Sequence, residues 1–143
     1  MKEAPLIPEL YCTDFDKSIA FYKEILGFQI LYSRPEDKFA KLDIEGAEIM
    51  LEQLEHEGGR RWLLGKIEHP FGRGVSFQIR VSNVDKIYQS LKENNIEPFL
   101  EMEEKWYRVD DHMVGNKQFV VPDPDGYLLR FFEDMGLKEI ATA

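Results

Sequence analysis

The feature that most restricts how this chain can fold is an internal repeat, because a supersecondary unit that recurs fixes the architecture of the whole. Leu6–Cys12 reads as a strand, with Pro8 near its start. Thr13-Asp14-Phe15-Asp16 supplies helix-start chemistry, in which a short oxygen-bearing side chain accepts from an orphan backbone N–H. Ile19, Tyr22, Ile25 and Leu26 follow at helical spacing, and Gly27 marks the stop. Phe28–Tyr32, Phe39–Ile44 and Glu48–Leu54 read as strands, with a Glu45-Gly46 turn. The order then restarts. Val75–Val81 alternates like a half-buried strand, Ser82-Asn83 repeats the helix start, and Ile87 and Leu91 form a stripe that ends near Asn94-Asn95. Ile96–Leu100, Trp106–Val109, Gln118–Val121 and Tyr127–Phe132 read as strands, and Asp123-Pro124-Asp125-Gly126 is a strong turn signal. The chain after Met135 reads as loose.

A β-α-β-β-β order therefore occurs twice. Aligning Asp14 with Asn83 gives an offset of 69, whereas aligning Gly46 with Gly126 gives 80. The mismatch predicts an insertion in the second unit, near Glu101–Asn116. The expected organisation is α+β: one domain over 1–143, with module one at about 5–54, a connector at 55–73 and module two at about 74–134. The connector is long and weakly periodic, a property of lids and binding loops.

Composition bounds the partners. The 143 residues suffice for a buried core, and no apolar run is long enough for a membrane span. The first residues show no cleavage-site pattern, so no signal peptide is expected. Cys12 is the one cysteine, which leaves no intrachain disulfide and suggests the cytoplasm. It reads as a small buried hydrophobe. A net charge of -9 repels phosphate backbones, so nucleic acid is not an expected partner.

The run Asp14-Phe15-Asp16-Lys17-Ser18-Ile19-Ala20-Phe21-Tyr22, the later Leu26-Gly27-Phe28 and the terminal Asp123-Pro124-Asp125-Gly126-Tyr127-Leu128-Leu129-Arg130 resemble the vicinal oxygen chelate superfamily, which holds glyoxalases, dioxygenases and bleomycin-resistance proteins. The resemblance spans nearly the whole chain. It implies two tandem βαβββ modules curling eight strands into an open barrel around a cleft. It also implies four positions where metal-using members place ligands, and here these fall on Ile7, Met50, Ser76 and Arg130. Divalent cations acting on oxygenated substrates want His, Asp or Glu at such positions, and a guanidinium opposes a cation. Only a shift of register would bring Glu9 or Glu52 into place. The histidines His56, His69 and His112 show no ligand spacing and read as exposed loop residues. No metal and no cofactor are expected.

The resemblance is closest to the bleomycin-resistance members, which lack the metal ligands and bind a cationic glycopeptide in grooves at a dimer interface. The expected function is a metal-free, homodimeric binder of a small molecule. The rival on the same scaffold is a metal-dependent lyase, isomerase, dioxygenase or thiol transferase. Candidate ligand-binding residues are Trp62, Arg73, Trp106, Arg108, Arg130, Glu52 and Ser76. Arg73 sits in Pro70-Phe71-Gly72-Arg73-Gly74, which is either a tight connection or a loop aimed at the cleft. Alternation puts Trp106 and Arg108 on one strand face and Tyr107 on the other, and the module register turns Arg130 inward. The same residues serve equally well as a structural polar network. Trp62 either stacks on a ligand or plugs the barrel edge, with Arg60 and Arg61 beside it. Gln118 flanks the cleft, and Phe119 reads as core.

Overall fold

The computed structural model describes residues 3–55 and 61–140. Each module contains a four-stranded sheet and a helix. In module one, β1 (Glu9–Cys12) leads into α1 (Phe15–Ala20), then β2 (Gln29–Arg34), β3 (Phe39–Ile44) and β4 (Ala47–Gln53). In module two, β5 (Ser76–Arg80) leads into α2 (Val84–Glu93), then β6 (Leu100–Val109), β7 (His112–Pro122) and β8 (Leu128–Glu139). The sheet orders correspond: β1-β4-β3-β2 and β5-β8-β7-β6, with the first pair of each parallel. The strands thus form two curved, unclosed sheets, not one continuous ladder.

The helix starts are built as the sequence suggests. Asp14 accepts from Lys17 N at 3.1 Å, and Asn83 from Lys86 N at 3.2 Å. α1 continues as a π-helical segment over Phe21–Leu26, closed by Gly27 at φ 90°. The neighbours Phe21 and Tyr22 are both buried there, where an α-helical stripe would bury Tyr22 with Ile25.

The expected insertion exists but is not a loop. β6 and β7 run through it as a long hairpin that turns at Asp110-Asp111, so Leu100 and Trp106–Val109 belong to one strand, Ile96–Phe99 precede it outside the sheet, and Gln118–Val121 is the inner part of β7. β8 follows β7 outward to Glu139, so the segment after Met135 is paired and not loose. The lengthened β7 offers backbone partners that β8 takes up, which removes unpaired edge groups.

One core joins the modules. It lies between the helix-bearing faces of the two sheets, where Phe28 meets Phe131 and Phe119 stacks on Phe131. Tyr22 O–H donates to Asp123 Oδ2 at 2.7 Å, and Ser90 O–H to Ile25 O at 2.7 Å. Equivalent turns grip the opposite module's helix start. Glu45 of module one accepts from Ser82 N through both carboxylate oxygens at 3.1 Å, and Asp125 of module two accepts from Thr13 N at 3.1 Å. The exchange follows the same offsets of 69 and 80 and gives the pair an approximate two-fold relation. Its consequence is that the other face of each sheet turns away from the shared core.

Candidate functional site

The open face of module one is the better-built site. Along β1 the period of two puts Leu10 and Cys12 into the core, while Glu9 and Tyr11 point outward with Ile7 before them. Met50 lies opposite Glu9, and Glu52 opposite Tyr11. The connector crosses this face. Trp62 N donates to Tyr11 Oη at 2.8 Å, and Leu63 and Ile67 close the cover. Phe71 and Tyr127 form the far wall of a cavity of about 450 Å³. Trp62 remains 65% exposed.

The electrostatics favour a cation. Glu52 is 9% exposed. Desolvation at the pocket floor pushes the Glu9 carboxyl up, Glu52 pushes it further, and Arg34 pulls it down. A guest with positive charge relieves the repulsion between the two carboxylates, and the aromatic walls suit a flat or apolar body.

Buried Cys12 fits its reading as a hydrophobe. Burial, followed by the charge of Asp125, pushes its thiol up to about 12, the reverse of an activated nucleophile.

The residues expected to share one site divide between three places. Trp62 and Glu52 belong to module one's open face, where Glu9, Tyr11, Phe71 and Tyr127 join them. Arg73 and Ser76 line a separate cavity of about 490 Å³ at the end of module two's sheet. Arg130 stands one step along that sheet from Ser76, opposite Gln78 on β5 and Val120 on β7.

Trp106 and Arg108 are not with Arg130. Alternation separates them from Tyr107 as expected, but Tyr107 has the open face: its hydroxyl meets Gln118 Nε2 at 2.7 Å. The register of β6 on β7 puts Trp106 over Gly115 on the opposite face, with Lys138 Nζ 4.1 Å from its ring centre. One strand cannot show which of its faces is open; only its pairing with β7 and β8 does. Gln118 is buried on the open face, and Phe119 is core.

His69 departs from the reading as a free loop residue. Its Nε2 lies 2.8 Å from Asp125 Oδ1 and 2.9 Å from Thr13 Oγ1, and its ring stacks on Phe71 at 4.0 Å. It ties the connector to both modules. His112 begins β7 and is half-buried, and His56 and Arg60 lie outside the described residues. Arg61 donates to Leu54 O.

The four positions at which the resemblance implies metal ligands, Ile7, Met50, Ser76 and Arg130, do not fit a divalent cation. An aliphatic chain, a thioether, a hydroxyl and a guanidinium occupy them, and they are split between two faces. Among the described residues no three His, Cys, Asp or Glu side chains gather as a metal would need. Sequence reasoning missed Tyr11, Phe71 and Tyr127. The alternation of β1 after Ile7 marks Tyr11, whereas Phe71 and Tyr127 meet it only through the tertiary fold.

The model of the Glyoxalase/Bleomycin resistance protein/Dioxygenase superfamily matches residues 7–131. A bleomycin resistance protein of Geobacillus stearothermophilus is 30% identical over 138 residues, covering 90% of this chain and 96% of that one. A bleomycin resistance protein of Staphylococcus aureus matches equally well. Among solved structures, TioX from Micromonospora sp. ML1 has a TM-score of 0.67 at 21% identity, covering 92% of this chain and 99% of that one. An integron cassette protein from V. cholerae has a TM-score of 0.67 at 18% identity, with 93% and 97% covered. The structural likenesses speak for the fold, the family model and the curated relatives for descent: this chain belongs to the glyoxalase/bleomycin resistance protein/dioxygenase superfamily.

Proposed function

We propose that this protein is a metal-free binder of the bleomycin-resistance kind, holding a cationic small molecule without transforming it. The observation that carries the reading is the module-one pocket, which sets Glu9 among Tyr11, Trp62 and Phe71, with Glu52 opposite Tyr11 on the same sheet face. Such a pocket offers stacking and charge neutralisation, and it holds no activated nucleophile. The formal charge of -9 assists encounter with a cation. The relatives named bleomycin resistance protein make metal-free bleomycin the first ligand to try. Sequestration requires no catalytic group, only affinity and abundance. We place the protein in the cytoplasm, where a lone buried thiol stays reduced.

A homodimer completes this proposal. Each sheet's open face is turned away from the core of its own chain, so a second copy related by a two-fold axis supplies the missing wall. Light scattering at micromolar concentration is expected to give a dimer, and a monomer would remove the shared cleft.

Calorimetric titration with metal-free bleomycin tests the function. Binding is expected to weaken as salt is added and to fall about tenfold or more in Trp62→Ala, as for an aromatic anchor. Absence of binding would remove this ligand. Stoichiometric manganese, iron, nickel or zinc in protein purified without chelator would overturn the metal-free reading in favour of an enzyme.

A further inference from the structure

The connector has two parts that are held differently. Its base, from His69 to Gly72, is pressed against the module-two turn: a Cβ on Gly72 would lie 2.6 Å from Tyr127 Cα, and Pro70 packs on Gly126. The stretch before it, from Trp62 to Ile67, lies over the module-one pocket, with Trp62 and Leu64 exposed. Phe71 is the residue of the base that reaches the pocket, where it forms one wall with Tyr127.

The main chain of Phe71 is fixed by its N–H, which donates to Asp125 O at 2.8 Å. That bond does not set the rotamer of the ring. The ring is held from two sides. Tyr127 meets it edge to face at 6.4 Å, and Tyr127 is anchored by its own hydroxyl, which donates to Tyr11 O at 2.9 Å. On the other side the His69 ring stacks on it at 4.0 Å, with 18° between the planes. His69 does not line the pocket, and half of its side chain meets solvent. Its ring is nevertheless tied at one edge: Nε2 lies 2.8 Å from Asp125 Oδ1 and 2.9 Å from Thr13 Oγ1. The Thr13 hydroxyl gives its own proton to Asp125, so it offers His69 a lone pair. Both neighbours of Nε2 are therefore acceptors, and Nε2 carries a proton whatever the charge of the ring.

We propose that His69 is a positioning residue of the module-one site, acting on the ligand through Phe71 without touching it. The proposal rests on the reading of that pocket as the ligand site. The tie to Asp125 and Thr13 sets the imidazole plane, and the imidazole plane sets the face that Phe71 presents. The wall is thus formed before a ligand arrives. A preformed wall spares the ligand the cost of ordering it, so loosening the wall shortens the bound lifetime.

Two variants take this arrangement apart. His69→Gln keeps an amide N–H near the place of Nε2 and removes the ring, whereas His69→Phe keeps a ring and removes the donor. Stopped-flow measurement with metal-free bleomycin is expected to show dissociation faster by about fivefold or more in both variants, with association within about twofold of wild type. A fluorinated phenylalanine incorporated at position 71 reports on the wall without any ligand, and its fluorine signal is expected to shift in both variants. Dissociation at the wild-type rate in either variant would overturn the proposal, since it needs both the ring and the tie. A lowered Tm with unchanged kinetics would also overturn it, because that is the mark of a purely structural contact. If the wild-type protein binds no bleomycin, the choice of ligand falls and the fluorine signal decides alone. A shift in both variants then supports the positioning of Phe71 by His69, and an unmoved signal refutes it.

Discussion

Asp43-Ile44-Glu45-Gly46 in module one and Asp123-Pro124-Asp125-Gly126 in module two occupy the same place in the repeat, yet they live in different surroundings. Glu45 is exposed and caps Ser82 N from the surface. Asp125 is buried, and three groups converge on it: Thr13 N, Thr13 Oγ1 and His69 Nε2. Among the described residues Asp43 accepts from Gly46 N alone, whereas Asp123 accepts from Tyr22 Oη, Asp125 N and Tyr127 N. The connector accounts for the difference. It leaves module one, crosses that module's open face and returns against the module-two turn, where Pro70 packs on Gly126 and Phe71 N donates to Asp125 O. A repeat therefore loses its symmetry where a single covalent link crosses it, and the cover over the module-one pocket is anchored at the more buried turn.

The glycines give the largest contrast. Both Gly46 and Gly126 have positive φ, 95° and 90°. A Cβ on Gly46 meets nothing within 4 Å, whereas one on Gly126 lies 2.3 Å from Pro70 Cβ. Gly46→Ala is expected to cost about 1–2 kcal/mol for the left-handed backbone. Gly126→Ala adds overpacking and reaches roughly 2–5 kcal/mol. Urea unfolding of both variants measures this, and equal losses would mean that the connector does not press on the second turn.

The turn carboxylates come next. Asp125→Ala leaves buried donors unpaired and is expected to cost roughly 1–3 kcal/mol, while Glu45→Ala costs about 0.5–1 kcal/mol because water replaces its bonds. Asp125→Ala also releases His69, so Trp62 fluorescence is expected to change in that variant and not in Glu45→Ala.

The pH dependence follows from Asp123. Burial pushes its carboxyl up, against the hydrogen bonds from Tyr127 N and Tyr22 that draw it down. An acid held above its unfolded value binds its proton more tightly when folded. Its contribution to stability is thus complete below the unfolded value and is lost as pH rises through the folded one. Relative to wild type, Asp123→Asn is expected to show a flatter loss of stability as pH rises above the unfolded aspartate value of about 4. Parallel profiles for the two proteins would mean that Asp123 titrates as it does in the unfolded chain.

Trp106→Ala is expected to have the smallest effect. Its ring lies over Gly115 and near Lys138, half-buried on the face opposite Arg130, so about 0.5–1 kcal/mol of cation–π stabilisation is at stake. Ligand affinity is expected to be unchanged. A tenfold loss of bleomycin affinity would put this face in the cleft and reverse the assignment of the module's two surfaces.

Much of the fold is legible in the sequence because its signals are local. Asp14 and Asn83 as caps, Gly27 as a stop and the alternation of Ile79 and Val81 with polar residues all act within a few positions of themselves. The 11-residue mismatch between the two offsets correctly signals an insertion. Whether inserted residues form a loop or lengthen a hairpin depends on partners elsewhere, and here β8 continues beside β7 to Glu139. The candidate site was less legible. Alternation pairs Trp106 with Arg108 but is silent on which face is core. The bulges in β2, β6 and β7 also shift the parity that a count along the chain assumes.

The sequence by itself determined the doubled β-α-β-β-β order, the family and the absence of a hard ligand set at Ile7, Met50, Ser76 and Arg130, since residue type and spacing carry all three. Tertiary structure alone decided that Tyr11, Trp62, Phe71 and Tyr127 share a pocket, that Arg73 and Ser76 belong to another, and that His69 is a fastening. These are meetings between residues far apart in the chain, and the faces on which they occur are selected by burial of the common core, a quantity that belongs to the whole fold and to no single segment.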